Sequence, residues 1–454
     1  MSRIPWLAAL AAALPAFANA ANDADPEVAQ LRAELSALKE TYDTRLAALE
    51  ARLRAAESVP TEDVGAAPAT SVPASSSAFN PAISLILDGK YRSIERNPDT
   101  YRIGGFIPGG DEVGPGKRNA DLGESEITVS ANIDPYFAGY FVAAFSPEGD
   151  AEVEEAYLTH VGLVPGATLK FGRFLSAFGY ENEQHAHAWD FVDAPLVMQA
   201  FFGGALKDDG VQLRWLAPTD LFVELGLEVG SGDNFPGSDR NRNRPNAALL
   251  FAHVGGDVGT GASYRIGGSF RHTNAVDRPY DDVDAFGAPV TNVFDGDVDM
   301  WGVDAVWKWA PNGNPLGQNL KLQAEYYSAK SDGSLAFDTS GAALADDFVS
   351  RQSGWYAQAV YQLMPRWRVG ARYDELDSGT PHISLVGNGA TAADFPLLAE
   401  NDPTRWTAMV DFSPSEFSRL RLQYARDEAR FDGADDQVFL QYIMSMGAHG
   451  AHKF

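Results

Sequence analysis

Residues 355–373 read WYAQAVYQLMPRWRVGARY, and this segment decides the fold class. On each side of Met364-Pro365, apolar or aromatic residues occupy most alternate positions, and many of the positions between them are polar. Successive side chains of a β-strand point to opposite faces, so the pattern predicts two amphipathic strands joined by a tight turn. One face of this pair is apolar, and the other carries amides and arginines.

The same period of two continues from Pro81 to Phe454 and predicts sixteen strands, or eighteen if residues 101–108 add to the sheet. The predicted ranges are 83–94, 123–134, 136–146, 152–162, 167–176, 210–217, 220–229, 245–255, 262–271, 297–309, 318–329, 352–363, 366–376, 404–412, 416–427 and 436–448. Alternation alone does not separate a soluble sandwich from a membrane barrel.

The connections between the strands make that distinction, because they alternate in length. One set consists of tight turns such as Asp134-Pro135 and Ser413-Pro414-Ser415. The other set is mostly long and polar, at 95–122, 177–209, 230–244, 272–296, 330–351 and 377–403, with short exceptions near 147–151 and 428–435. Short turns at one end and long loops at the other are typical of outer-membrane barrels. We therefore predict an all-β fold, a transmembrane antiparallel β-barrel.

The region before the barrel divides into three segments. Residues 1–20 combine Arg3, an apolar run and Ala18-Asn19-Ala20, which predicts a cleavable signal peptide of a Gram-negative bacterium. Residues 21–57 repeat apolar positions at heptad spacing, which favours a periplasmic coiled-coil helix, with a single amphipathic surface helix as the alternative. Residues 58–80 are rich in Pro, Ser and Ala and predict a flexible linker.

Composition limits the choice of partners. The formal net charge is -27, which argues against nucleic acid as a partner, and the chain contains no cysteine for disulfides or thiolate–metal bonds. The chain finishes on Phe454 after a final amphipathic strand, and this aromatic residue resembles the recognition signal that the barrel-assembly machinery reads. The expected partners are therefore outer-membrane lipid and that machinery.

One strand–turn–strand–loop unit carries a family resemblance. It comprises residues 154–158 (EEAYL), 169–174 (LKFGRF) and 177–181 (AFGYE). The unit resembles the "AY … L-x-G-x-F … PFG-x-E" signature of the phosphate-selective porin superfamily, with Ala177 in place of the usual Pro. That resemblance implies a trimeric barrel with an inward-folded third loop.

The whole chain, with its helical N-terminus and its ending GAHGAHKF at 447–454, also resembles a proteobacterial group. That group is often labelled zinc-regulated TonB-dependent outer membrane receptor. Receptors of this kind have about 22 strands and a plugged lumen, whereas the residues after Ala20 read as coiled coil and linker. We therefore favour a porin-like homotrimer for passive uptake of small hydrophilic or ionic solutes. A TonB-linked receptor for metal or metallophore and an envelope-tethering barrel are the alternatives.

The third long connection, 177–209, is the candidate constriction. It carries many apolar residues, among them Trp189, Phe191 and Phe201, and folding into the barrel would bury them. An extracellular lid or a trimer contact is the alternative. Its carboxylates would face the channel and favour cations, or give weak selectivity. The candidate constriction residues are Glu181, Glu183, Asp190, Asp193, Asp208 and Asp209.

A set of arginines falls on the predicted lumen face and opposes that preference. They form either an anion-guiding ladder, as in the phosphate-selective relatives, or ion pairs with lumen acids. The arginines of this ladder are Arg214, Arg265, Arg271, Arg366, Arg368, Arg372, Arg405, Arg419 and Arg421.

Two histidines of the same connection, His185 and His187, are candidate zinc ligands beside Glu181, Glu183 and Asp190. The acidic loop at 230–239 is a weaker candidate for calcium, and solvated acids are its default interpretation. No nucleophile–base or acid–base constellation stands out, so the sequence predicts a protein that is not an enzyme and has no cofactor besides these candidate ions.

Overall fold

The computed structural model describes residues 81–109, 113–146, 149–238 and 241–447. The predicted signal peptide, coiled coil and linker, together with Phe454, lie outside the described residues.

Within the described residues the chain forms sixteen barrel strands. The first eight are β1 Ala82–Ile94, β2 Ser125–Asn132, β3 Phe137–Phe145, β4 Ala151–Val161, β5 Ala167–Leu175, β6 Lys207–Leu216, β7 Phe222–Gly230 and β8 Ala247–Val258. The other eight are β9 Ala262–Val283, β10 Pro289–Trp309, β11 Asn319–Phe337, β12 Leu344–Met364, β13 Trp367–Asp377, β14 Thr404–Ser415, β15 Ser418–Asp427 and β16 Asp435–Gly447.

Each strand pairs antiparallel with the next, and β16 pairs with β1 from Ser84 opposite Gly447 to Ile94 opposite Gln437. The sheet therefore closes, which removes its edges. Two short segments extend the barrel strands: Asn119–Leu122 pairs with the end of β1, and His382–Ile383 pairs with β12. The predicted antiparallel barrel is confirmed with sixteen strands, and residues 101–108 contain no strand.

The middle of the barrel is taller than the sequence predicts. Strands β9 to β12 contain 22, 21, 19 and 21 residues, so most of the predicted loops 272–296 and 330–351 are strand. Their inward side chains, including Phe294, Leu335 and Phe348, are buried against apolar groups inside the barrel. The polar outer face of these extensions is what made them resemble loops.

The outer face of the barrel is apolar and its inner face is largely polar, as a membrane-spanning barrel requires. On β15, Leu420, Leu422 and Tyr424 point outward and are exposed, whereas Arg421 and Gln423 point inward and are buried. A soluble barrel would show the reverse pattern. No helix among the described residues has the length and apolar character needed to cross a membrane.

An apolar core lies inside the barrel, on the side of the long connections. Three connections supply most of it together with the wall: the described residues of 95–118, residues 176–206 and residues 378–403. The second contains α1, Leu196–Phe202, whose seven side chains are all buried. Phe106 of the first connection contacts Phe201 edge-on at 5.8 Å, and Phe395 of the third contacts Phe337 of β11 at 5.3 Å. Short 3-10 turns complete these connections at Pro98–Thr100, Glu181–Glu183, Ala186–Ala188, Ala392–Asp394 and Pro396–Leu398, and one more turn, Pro311–Gly313, precedes β11.

Candidate functional site: the inward loop and the lumen

The connection between β5 and β6, residues 176–206, crosses the interior of the barrel, and we name it the inward loop. Its first residues dock on Glu325 of β11. The carboxylate of Glu325 accepts hydrogen bonds from the backbone N–H groups of Tyr180 at 3.0 Å and Glu181 at 2.8 Å. The hydroxyls of Tyr327 and Tyr356 also donate to it. One wall carboxylate therefore satisfies two backbone groups of the loop.

Gly179 explains why this docking is close. Its φ of +81° lies in the left-handed region, and a Cβ there would stand 2.2 Å from Oε2 of Glu325. Glycine is the residue that adopts this conformation without a steric penalty and allows such an approach. Gly179 belongs to the segment of the chain that resembles the porin signature, and its role there is to let the loop backbone approach Glu325 closely.

The acids of the inward loop pair with cations of the wall. Glu183 contacts Arg214 at 2.6 Å and Arg265 at 3.2 Å. Asp190 contacts Lys321 at 3.0 Å and Arg368 at 2.9 Å. These paired carboxylates hold the loop against several strands, so they do not form a ring of free negative charge.

Asp193 is held in the same way, farther along the loop. It contacts Arg372 at 3.2 Å and Arg405 at 2.8 Å, and it accepts a hydrogen bond from Gln423 at 2.7 Å. The loop thus reaches β13, β14 and β15, on the far side of the lumen from β5. The pattern of residue types along the sequence does not predict contacts between partners this far apart.

Two of the predicted constriction residues belong to β6 rather than to the loop. Asp208 is buried on the inner face and pairs with Arg271 at 3.0 Å. Asp209 is a correction: it shares the outward face with Val211 and Leu213 and pairs with Arg173 at 2.7 Å. Because β6 begins at Lys207, the strand alternation sends these two neighbouring carboxylates to opposite faces.

Eight of the nine predicted lumen arginines lie on the inner side of the wall. Arg421 contacts Asp411 at 3.2 Å and donates to the carbonyl of Trp189 at 3.0 Å. Arg419 donates to the carbonyl of His187 at 2.5 Å. Arg366 is the exception and a second correction: it is exposed in the turn between β12 and β13, with a φ of 73°. The arginines therefore bind the inward loop and the lumen acids, which is the ion-pair alternative.

The ionisation of the loop acids follows from these partners. Burial raises the pKa of the Glu181 carboxyl to about 7, although Lys321 and a hydrogen bond from Gln323 act in the opposite direction. Burial also acts on Glu183, but Arg214 and Arg265 outweigh it and lower its pKa to about 2. Glu181 is thus a loop acid that changes charge near neutral pH.

His185 and His187 lie beside carboxylates of the wall, not beside the loop acids that the sequence suggested. His185 Nδ1 is 3.0 Å from Glu154 Oε2, and its Nε2 is 2.9 Å from Glu155 Oε2. His187 Nδ1 is 2.8 Å from Glu126 Oε1. We name these five residues the His–Glu cluster.

A β-bulge in β4 builds the carboxylate side of this cluster. The register between β3 and β4 shifts between Val142, opposite Glu155, and Ala143, opposite Val153. Glu154 is therefore an extra residue, and both it and Glu155 are buried inside the barrel. Two adjacent acids in an otherwise alternating strand were the available sequence signal for this feature.

The acidic loop at 230–239, the weaker candidate for calcium, has Asp233 exposed, and Asp239 lies outside the described residues.

Water-accessible space flanks the inward loop on both sides. Toward the long connections, a cleft with about 420 Å³ accessible to water, which we name the vestibule, lies between the loop, strands β1, β4 and β16, and the residues just before β2. Toward the short turns, a second space with about 490 Å³ accessible to water lies between the loop and strands β6 to β9. Gln184 lines both spaces.

Both spaces are lined by charged groups with carboxylates in excess. The vestibule has five acids and three bases: Asp99, Asp121, Glu124, Glu154, Asp193, Lys90, Arg92 and Lys117. The second space has four acids and two bases: Glu183, Asp220, Glu224, Asp257, Arg214 and Arg265. The sequence did not point to most of these residues, because their common location depends on which strands face the loop.

Comparisons with known proteins agree with the barrel. No protein-family model matches the chain. An uncharacterized protein of Aquifex aeolicus (strain VF5) is 32% identical over 413 residues, which are 84% of this chain and 81% of that protein. The loop-L8 deletion mutant of OmpT, an outer membrane protein of Vibrio cholerae, has a TM-score of 0.50 at 13% identity, over 81% of this chain and 100% of that chain. The outer membrane channel DcaP of Acinetobacter baumannii has a TM-score of 0.47 at 15% identity, over 82% of this chain and 99% of that chain. At such identity, the OmpT likeness shows the fold alone.

Proposed function

The chain belongs to the same family as the Aquifex aeolicus protein, and we propose that it is an outer-membrane, porin-like channel for passive uptake of small hydrophilic or ionic solutes. The observation that carries this proposal is the pair of spaces, each with charged groups in its lining, that both reach Gln184 from opposite sides of the inward loop. A solute path through the barrel would run past this residue, between the loop and the wall.

The outer surface supports the location in an outer membrane. Trp301 and Trp309 both point outward on β10 and are exposed. They are eight residues apart, a strand length of about 27 Å at roughly 3.4 Å per residue. Trp406 lies near the long-connection end of β14, and Trp367 lies near the short-turn end of β13. Aromatic residues at two heights around an apolar band match the two interfaces of a bilayer.

We propose weak cation preference for the pore. Glu183, Asp190 and Asp193 of the inward loop are paired with wall cations and contribute little free charge, so selectivity depends on the rest of the lining of the two spaces. Even without the paired Glu183 and Asp193, each space has more acids than bases in its lining. A modest excess of negative charge in a narrow, poorly screened passage lowers the energy of cations relative to anions.

The assembly that we propose is a homotrimer. A cleavable signal exports the chain, the barrel-assembly machinery inserts it, and the coiled coil of residues 21–57 lies in the periplasm. Heptad spacing in those residues and the resemblance of residues 154–181 to trimeric porins support this arrangement.

The test is single-channel recording in a planar bilayer under a salt gradient, with one engineered thiol. Because the natural chain has no cysteine, Gln184→Cys provides a unique reactive site. We expect stable current steps and a cation-selective reversal potential, and a charged thiol reagent added from either side should reduce the current of Q184C. Leu213→Cys on the outward face of β6 is the matched control and should conduct unchanged. A silent bilayer with folded protein, or reagent-treated Q184C with full current, would contradict the proposed path.

A further inference from the structure

The His–Glu cluster joins the inward loop to two strands of the wall by side chains that are competent to bind a metal. We propose that Glu126, Glu154 and His185 bind one divalent cation of the zinc class, and that this ion fastens the loop to β2 and β4. The proposal concerns binding of the ion and does not depend on conduction.

The spacing of the donor atoms fits such an ion. One atom from each of Glu126, Glu154 and His185 can be chosen so that all three lie within 4.8 Å of one another. His185 Nδ1 is 3.0 Å from Glu154 Oε2 and 3.5 Å from Glu126 Oε2. Bonds of about 2.0–2.2 Å in a tetrahedral zinc site separate ligand atoms by about 3.3–3.6 Å. Small side-chain movements would therefore complete three bonds.

Glu126 supplies an independent indication of a ligand. Its side chain is 1% exposed, and its Oε2 atom is buried without a hydrogen-bond partner among the described residues. A buried charged oxygen that accepts no hydrogen bond is unfavourable. The atom faces the ring of His185, and a cation between them would satisfy it.

The remaining members of the cluster orient the ligands. Glu155 Oε2 lies 2.9 Å from His185 Nε2, so it accepts the N–H of that nitrogen when Nδ1 binds the ion. His187 Nδ1 hydrogen-bonds Glu126 Oε1 at 2.8 Å and leaves the other oxygen for the ion. Partners of this kind fix the tautomer and the orientation of metal ligands. The proton that Nδ1 shares with Glu154 leaves to water on binding.

The donor set selects the class of ion. One imidazole and two carboxylates suit zinc, whereas calcium takes six to eight oxygen ligands and magnesium retains most of its water. Glu154 and Ala186 line the vestibule, so the fourth coordination position opens to water there. The bound ion would also add positive charge at the entrance of the proposed path.

The test measures zinc bound to the purified, full-length protein in detergent, by equilibrium dialysis against Zn²⁺ and elemental analysis. We expect one tightly bound zinc per chain, and we expect Glu126→Gln and His185→Gln each to weaken its binding at least tenfold. His272→Gln is the matched control, because His272 pairs with Asp299 at 2.8 Å on the exposed surface. A double variant, His449→Gln with His452→Gln, removes the imidazoles near the C-terminus and should retain the ion.

Resistance of the barrel to heat in detergent reports folding of each variant. If Glu126→Gln does not fold, Glu154→Gln decides the test, because Glu154 lies at the vestibule edge of the cluster. Replacing zinc by Co²⁺ should give the intense visible absorption of a four-coordinate site, and His185→Gln should abolish it. Absence of bound zinc in the natural protein, unchanged binding in folded variants of the cluster, or loss of zinc from the C-terminal double variant would each overturn the proposal.

Discussion

Asp190 lies between Lys321 and Arg368, at distances of 3.0 and 2.9 Å, and this arrangement is typical of the inward loop. Asp193 and Glu183 have the same relation to other wall cations. Buried charges are tolerated when each has a partner, and removing one partner leaves the other uncompensated. The charges of the loop therefore serve first to hold it in place.

Replacing Asp190 with Asn should shift selectivity toward anions. The substitution keeps the shape of the side chain but leaves Lys321 and Arg368 with an excess of positive charge. A change of one unit charge inside the barrel is worth about 1 kcal/mol after screening, so the cation-to-anion permeability ratio should fall roughly fivefold. Reversal potentials in a salt gradient measure this ratio.

Asp209→Asn is the control for that experiment. Asp209 pairs with Arg173 on the outward face, and the two side chains are 50% and 35% exposed. Its loss should leave the reversal potential unchanged. An equal shift in both variants would mean that the effect arises from total charge and not from the lumen.

Glu181 should make the docking of the inward loop sensitive to pH. Burial raises the pKa of its carboxyl to about 7, above the ordinary value, so the docked loop favours the protonated form. Docking is then most stable below the ordinary pKa of about 4.3 and loses stability as pH rises through about 7. Current fluctuations caused by loop movement should increase between pH 5 and pH 8.

The Glu181→Gln variant isolates this contribution, because Gln cannot ionise. Its fluctuations should vary less with pH than those of the natural protein over the same interval. Glu183, whose pKa Arg214 and Arg265 lower to about 2 against the effect of burial, stays ionised throughout that interval. An identical pH dependence in the two proteins would show that another group controls the loop.

At the level of elements, the contact between the inward loop and β11 depends on Gly179. Gly179→Ala would place a Cβ 2.2 Å from Glu325 Oε2 and 2.3 Å from the hydroxyl oxygen of Tyr327. The loop should undock, with larger and noisier single-channel currents and faster proteolysis within residues 176–206. Gly287→Ala is the matched control: its φ of +79° carries the same backbone penalty, but its Cβ meets nothing within 4 Å. Equal effects of the two substitutions would assign the change to the backbone alone.

The sequence predicted the elements better than it predicted their partners. Alternation located all sixteen barrel strands, because the side-chain period of a strand survives in either solvent. It failed beyond residue 271 in β9, where the polar outer face of the extension reads as loop. It also placed His185 beside loop acids, because neither the bulge at Glu154 nor the approach of β2 is encoded in local spacing. Contacts across a closed barrel join residues far apart in sequence.

At the scale of the whole molecule, the barrel combines an apolar exterior with an interior that is partly filled by its own loops. The connections 95–118 and 378–403 pack with the inward loop into one apolar core. The open space is thereby displaced to the sides of that core, along the wall. The pore that we propose is therefore an off-centre passage bounded by polar strand faces.

Deleting residues 21–80 should leave this passage intact. Strands β1 and β16 close the barrel within residues 82–447, so the wall needs no residue before Ala82. The conductance of each pore should match that of the natural protein.

The same deletion tests the trimer. If the coiled coil holds three barrels together, current steps grouped in threes should give way to single steps in the deleted form. A control that lacks only residues 58–80 keeps the heptads and should keep the grouping. A folded barrel that loses conductance with residues 21–80 would instead assign those residues to the pore itself, and a conducting barrel that leaves the cell envelope weakened would favour a tethering role.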